Sequence, residues 1–256
     1  EALRSYPEHL VLPFNQWTTS LVNWALRDDW FGGFGMKDVS RALGAVIETP
    51  VLVIQRLLVK GFDISLFGID MALPPLSWLG VTILAICIAA SVGTFRVTLL
   101  TAATFIYIAV VGLWQSAMLT LALVMVAVVI GAGAGLALGI ASYRSTAVHR
   151  TLSPILDFMQ TVPVFGYLVP AILLFGYSPA AALVVTLIYT IPPMVHVTRG
   201  ALQQTSEETI ELGRMTGCST RQLLFRVMLP SERPRLMLGV NQVIMLTLNM
   251  VIISSL

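Results

Sequence analysis

Four of the five acidic side chains after position 75, and five of the nine arginines, fall in one stretch, residues 205–235, TSEETIELGRMTGCSTRQLLFRVMLPSERPR. Their spacing does not make a reactive centre. Glu211 and Arg214 stand three apart, the geometry of an ion pair along one helix face. His9, His149 and His196 lie in different loops or helix ends without ligand spacing, so neither a metal nor catalytic residues are expected. Cys87 and Cys218 sit in environments too different for a disulfide or a metal site. No carboxylate falls inside an expected span, Asp157 sitting at a loop edge, which argues against a carboxylate proton relay and an aspartyl-type intramembrane protease. Only two lysines are present, Lys37 and Lys60, both N-terminal. The glycine run Gly131, Gly135, Gly139 is therefore no phosphate loop, which needs Lys-Ser/Thr after its glycines.

The charged stretch reads as two short helices. Thr205 and Glu208 have the spacing of a capping box, and the helix they open runs to about Met215. Gly217 then supplies a left-handed stop. Ser219 and Gln222 form a second capping box, opening a helix with Leu223, Leu224, Val227 and Met228 on one side, and Pro230 and Pro234 keep it from continuing. Such a pair can be an amphipathic hairpin lying on a membrane surface or a docking element for a soluble partner.

The elements around it are apolar. The chain is 57% hydrophobic and 11% charged, against about 25% charged in a soluble domain, and its mean hydropathy is +0.86. Too little polar surface remains to cover a soluble core, so the expected class is an all-α polytopic membrane protein. Residues 1–75 carry six basic and eight acidic side chains and no signal-peptide pattern. Phe14, Trp17, Leu21 and Trp24 recur at helical spacing, as in an amphipathic helix on the bilayer interface. Residues 46–59 are interrupted by Glu48, Pro50, Gln55 and Arg56 and read as a second surface helix, because a span needs about 20 apolar residues.

Spans are expected at 76–92, 97–114, 117–141, 159–176, 179–195 and from 236 to the end. All nine arginines after position 75, Arg96 to Arg235, fall in alternate loops. By the positive-inside rule those loops are cytoplasmic, residues 1–75 lie outside, and Trp78 and Trp114 sit at the outer interface. Gly131, Gly135 and Gly139 are two consecutive GxxxG steps, which let a neighbouring helix approach closely. Pro163, Gly166, Pro170, Gly176, Pro179 and Pro192-Pro193 interrupt the fourth and fifth spans, as where protein or a water-filled path satisfies freed backbone groups. Gln160, Pro163, Tyr167 and Pro170, with Asn241, Gln242 and Asn249 of the last span, are the candidate lining of a translocation path. Packing kinks and interhelical hydrogen bonds are the alternative account of the same residues.

Glu211, Gly217 six residues on, then Val227, Leu229 and Pro230 resemble the EAA loop of ABC-importer permeases, EAA-x3-G-x9-I-x-LP. Leu212 and Gly213 replace its alanines and Val227 its isoleucine. Leu113-Trp114, LALVMVAVVIG, ILDFMQTVPVFGYLVPAILLFG, TLIYTIPPMVHVT and GVNQVIMLTLNMVIISS extend the resemblance over most of residues 76–256. It is to the permeases of glycine betaine/proline betaine importers, of the binding-protein-dependent type I (MetI-like) family. The resemblance implies a type I importer transmembrane domain in the bacterial inner membrane, here expected to be truncated at its C-terminus. Residues 1–75 would be an interfacial region, 76–116 two N-terminal spans and 117–256 the incomplete permease core, with a coupling loop at 197–235. It implies a homodimer, separate cytoplasmic ATPase subunits that hold ATP and Mg²⁺, and an external or fused receptor. Glu208, Glu211, Gly213, Arg214, Gly217, Val227, Leu229 and Pro230 become the ATPase-coupling residues, and this chain needs no cofactor of its own. The cargo implied is glycine betaine, proline betaine or choline; an amino-acid or sulfonate permease, or a self-sufficient channel or secondary transporter, is the competing function.

Overall fold

The computed structural model describes residues 36–66, 69–73 and 76–254, with the backbone alone for 36–41, 62–73 and 253–254. The aromatic repeat Phe14, Trp17, Leu21 and Trp24 lies outside the described residues. The first helix, α1, is Met36–Gln55 and runs on as a π-helical turn, Arg56–Lys60. An antiparallel hairpin follows, β1 Phe62–Leu66 and β2 Ile69–Leu73, in the register Phe62↔Leu73 to Leu66↔Ile69. Apart from this hairpin, the regular structure of the described residues is helical.

Two short apolar helices come next, α2 Trp78–Val92 and α3 Phe95–Val110. At 15 and 16 residues they reach about 22–24 Å, less than the roughly 30 Å hydrocarbon core. Trp78 and Trp114 line one apolar cleft with Ile106, Ala109 and Val110, so both indoles stand at the same end of the molecule. The hydroxyls of Thr82, Thr101, Thr104, Thr120 and Thr186 each donate to the carbonyl four residues back, which hides them from an apolar surround.

The body is built from three long helices: α4 Trp114–Arg144, α7 Pro179–Gln203 and α10 Arg233–Ser254. Glycine sets their approach. A Cβ on Gly131, Gly135 or Gly139 would stand 2.8 Å from Thr190 Oγ1, 2.5 Å from Met194 Cβ and 2.5 Å from Thr198 Cβ. The steps of four match on both helices and rise together, so α4 and α7 run parallel. Val243 lies beside Gly131 and Val251 beside Leu123, Val126 and Ala127, so α10 runs antiparallel to α4. The ends that carry Arg144, Arg199 and Arg235 therefore share one side, as their sequence distribution requires.

Two expectations for these spans change. The segment 159–176 is not one straight helix: α5 Thr146–Thr161 and α6 Val164–Phe175 meet at 97° across Pro163, a broken span or a re-entrant loop. Alone, α6 is about 18 Å long and cannot cross. The prolines inside helices act otherwise: Pro170 stays within α6, and α7 runs unbroken through Pro192-Pro193. A tight turn at Gly176, φ +72°, returns the chain to α7, where Ser178 caps and Pro179 occupies the first turn.

The reading of 46–59 as a surface helix is also corrected. Ala42–Lys60 is a continuous 19-residue helix long and apolar enough to cross a membrane. Val51 is fully buried with Leu123, Val126, Ala127, Leu183 and Val251, while Leu58 packs with Val81, Met118 and Ala122. From Val51 to Leu58 the contacts move back along α4, so this stretch runs antiparallel to it. Glu48, Pro50, Gln55 and Arg56 interrupt the hydropathy without interrupting the helix.

Candidate functional site

At the arginine-bearing end, the segment between α7 and α10 folds as a compact unit. It opens with α8, Glu207–Met215. The N-cap is Ser206, not Thr205, and the expected Thr205–Glu208 capping box does not form. Thr205 is instead drawn inside, its hydroxyl buried and unpaired, and the Ser206 hydroxyl meets Thr209 Oγ1 at 2.7 Å. Glu207 and Glu208 in the first turn still favour the helix through its dipole.

The other end of α8 is as read. Gly217 has φ +75°; its N–H donates to Arg214 O at 2.9 Å, and Cys218 N–H donates to Gly213 O at 3.1 Å. Those two bonds are a Schellman motif, which satisfies the last carbonyls and turns the chain sharply. Directly after it, Ser219 and Gln222 complete a reciprocal capping box: Gln222 N–H donates to Ser219 Oγ at 3.4 Å and Ser219 N–H to Gln222 Oε1 at 2.9 Å.

That box opens α9, made of Thr220–Gln222, the π-helical Leu223–Met228 and Leu229–Ser231. Its apolar side, Leu223, Leu224 and Met228, is buried against Leu202 of α7, with Ile140, Tyr143, Ile210 and Val227 around it. Gly213 is buried against the same side, where a Cβ would run into Leu223 Cδ1. Pro230 lies in the last turn of α9, which ends at Ser231 as expected, but the stop is brief: the backbone passes through Glu232 alone into α10, where Pro234 sits in the first turn and its missing N–H costs nothing.

The outward side of this unit mixes charge with apolar surface. Glu208, Glu211, Arg214, Arg221 and Arg226 are exposed, as are Leu212 at 64% and Met215 at 82%. Glu211 and Arg214 do not pair; the ion pairs among the described residues are His196–Asp157, 3.7 Å, and Arg235–Glu232, 3.0 Å. Val227, Leu229 and Pro230 are half-buried behind the exposed side. The arrangement holds two short helices rigidly to α7 while presenting Leu212 and Met215 outward, which suits docking and no covalent chemistry.

The candidate path residues form two sets that no hydrogen bond joins. Gln160, Pro163 and Pro170 are exposed on the bent α5–α6 pair, and Tyr167 donates to Met159 O at 3.1 Å across the bend. Asn241, Gln242 and Asn249 are exposed on α10 rather than paired within the bundle. Amides on the outside of a spanning helix are costly against hydrocarbon, so this surface suits protein or water. One residue escaped the sequence reading. Gln55 is buried and lines a cavity of about 400 Å³ with Leu123, Leu168, Ser178 and Val251. Its only sequence signal was a polar interruption in an apolar run.

The amino-acid sequence is similar to those of known proteins. Residues 127–256 match the family described as binding-protein-dependent transport system inner membrane component. The trimethylamine N-oxide transport system permease protein TmoV of Ruegeria pomeroyi is 33% identical over 99% of this chain and 37% of its own length. The glycine betaine/proline betaine transport system permease protein ProW of Escherichia coli is 35% identical over 96% of this chain and 63% of its own. The glycine betaine transport system permease protein OpuAB of Bacillus subtilis is 34% identical over 68% and 62%. The chain thus spans less than two thirds of the length of each of these relatives.

Proposed function

The chain belongs to the family of binding-protein-dependent transport system inner membrane components, and from that premise we propose that it is the permease subunit of an ATP-driven importer for glycine betaine, proline betaine and choline-type solutes. The observation that carries the machine is the unit between α7 and α10: two capped helices on a shared apolar core, with Leu212 and Met215 presented outward. In this reading a cytoplasmic ATPase seats α8, and Glu208, Glu211 and Arg214 set its polar surround. Gly213 keeps α8 close to Leu223, Gly217 makes the turn, and Val227, Leu229 and Pro230 back the docking side. ATP and Mg²⁺ belong to that partner; with two lysines in residues 1–75, this chain offers no phosphate loop. An external receptor delivers the solute and a second copy of the chain completes the path. Motion of the ATPase biases an inward/outward equilibrium because docking differs between the two states.

The cargo rests on the names of the relatives, betaines for two and trimethylamine N-oxide for one. These solutes share a fully alkylated nitrogen beside an anionic oxygen, with no N–H to donate. The test is ATP-dependent uptake of labelled glycine betaine into vesicles holding the full-length permease, its ATPase and its receptor. Saturable uptake competed by proline betaine supports machine and cargo together. Competition by trimethylamine N-oxide alone moves the cargo to the amine oxide, the second reading, and keeps the machine.

A further inference from the structure

We propose that Glu232 and Arg235 are positioning residues that close the neck of the coupling segment, so that motion of α8 and α9 reaches α7 and α10 together. The proposal rests on the coupling role given above and adds the joint through which it acts. Gln204 ends α7: its N–H returns to Gly200 O and Ala201 O, which leaves its own carbonyl at the negative end of the helix dipole. Arg235 Nη1 donates to that carbonyl at 3.4 Å from 31 residues further along the chain. The same Nη1 donates to Glu232 Oε2 at 3.0 Å. One guanidinium group thus ties the last turn of α7 to the first turn of α10.

Burial gives the pair its direction. Glu232 is buried, 8% exposed, whereas the Arg235 side chain is about half exposed. A buried carboxylate needs its cation, because removing the partner strands a desolvated charge. Glu232 therefore holds an arginine that would otherwise turn toward water, and the held arginine reaches Gln204. Everything between residues 204 and 232 is one body, knit by Leu223 against Gly213 and by the Leu202, Leu224 and Met228 core. A body entered and left at a single tied point moves both helices. Untied, it pulls α7 through its apolar core while α10 follows through the backbone at Glu232 and the packing of Gly239 against Met194 and Val197, with no polar tie at the neck. Both residues lie beyond Pro230, where the recognised sequence pattern stops.

The experiment measures solute imported per ATP hydrolysed in vesicles with full-length permease, ATPase and receptor. Glu232→Gln and Arg235→Met are expected to lower that ratio at least fivefold while each still binds the ATPase, since neither touches the outward side of α8. Arg235→Lys, which keeps one donor for both oxygens, is expected to restore the ratio to within twofold of wild type. A residue with a purely structural role lowers uptake and hydrolysis together. If Glu232→Gln does not accumulate, Gln204→Cys with Arg235→Cys joined by a short bifunctional thiol reagent replaces it. A neck that stays closed through the cycle keeps at least half of the uptake when cross-linked. Unchanged ratios in both single variants, or uptake abolished by the cross-link, overturn the proposal and leave the coupling role standing. A wild-type permease that binds no ATPase overturns both.

Discussion

Single residues decide how closely the helices meet. The glycines at 131, 135 and 139 were legible from their spacing alone, because a step of four keeps small residues on one helix face. Their partners were not: nothing in the sequence pairs Gly135 with Met194, since that depends on how α4 and α7 slide against each other. Gly131 also accounts for a buried hydroxyl. Thr190 Oγ1 has no conventional partner and stands 2.8 Å from where a Gly131 Cβ would be, room that only a glycine leaves, with the glycine's Cα–H on that side as a weak donor. We expect Gly135→Ala to cost about 1–3 kcal/mol through overpacking. Gly133→Ala, with nothing within 4 Å of its Cβ, should be neutral or stabilising by up to about 1 kcal/mol. Unfolding of the two variants in detergent, compared with wild type, checks the contrast; equal stability denies the close approach.

Elements were legible where local chemistry acts alone. The Ser219–Gln222 box and the Gly217 stop depend on residues a few positions apart, and both form as read. The Thr205–Glu208 box has the same spacing and fails, because burial at the end of α7 takes Thr205 before capping can use it. Ser219→Ala should therefore weaken the start of α9 by about 1 kcal/mol and speed hydrogen exchange at the Gln222 amide several-fold. Thr205→Ala, which removes an unpaired buried hydroxyl, should leave α8 exchange unchanged. Faster α8 exchange in that variant would restore the cap to Thr205. The stretch 46–59 was misjudged because a count of consecutive apolar residues treats every polar side chain as a break without knowing what it faces. Val51→Lys separates the two accounts: an unpaired charge among Leu123, Val126, Ala127 and Leu183 should abolish monodisperse protein, whereas a helix resting on the membrane surface would tolerate it.

For the whole molecule, the question is whether displacement at one end can reach the other. Arginine placement alone put the coupling segment on the same side as Arg96 and Arg144, and the parallel α4 and α7 with antiparallel α10 give that sidedness a physical frame. Pro163 marked its own break in the sequence, but the 97° angle there and the neck at Glu232 were beyond sequence reading, since both depend on contacts between distant segments. Gly217 is where local geometry and long-range transmission meet. Its positive φ is a conformation that Asp, unlike most residues, enters at modest cost, and no atom lies within 4 Å of a Cβ built there. Gly217→Asp should therefore fold and insert with a loss of about 1 kcal/mol or less while placing a carboxylate just past the exposed C-terminal end of α8. If that end of α8 seats the ATPase, uptake in reconstituted vesicles should fall at least tenfold while the ATPase goes on hydrolysing ATP. Wild-type uptake in a correctly inserted Gly217→Asp permease would mean that force enters the molecule elsewhere, and the rigidity of this unit would then need another purpose.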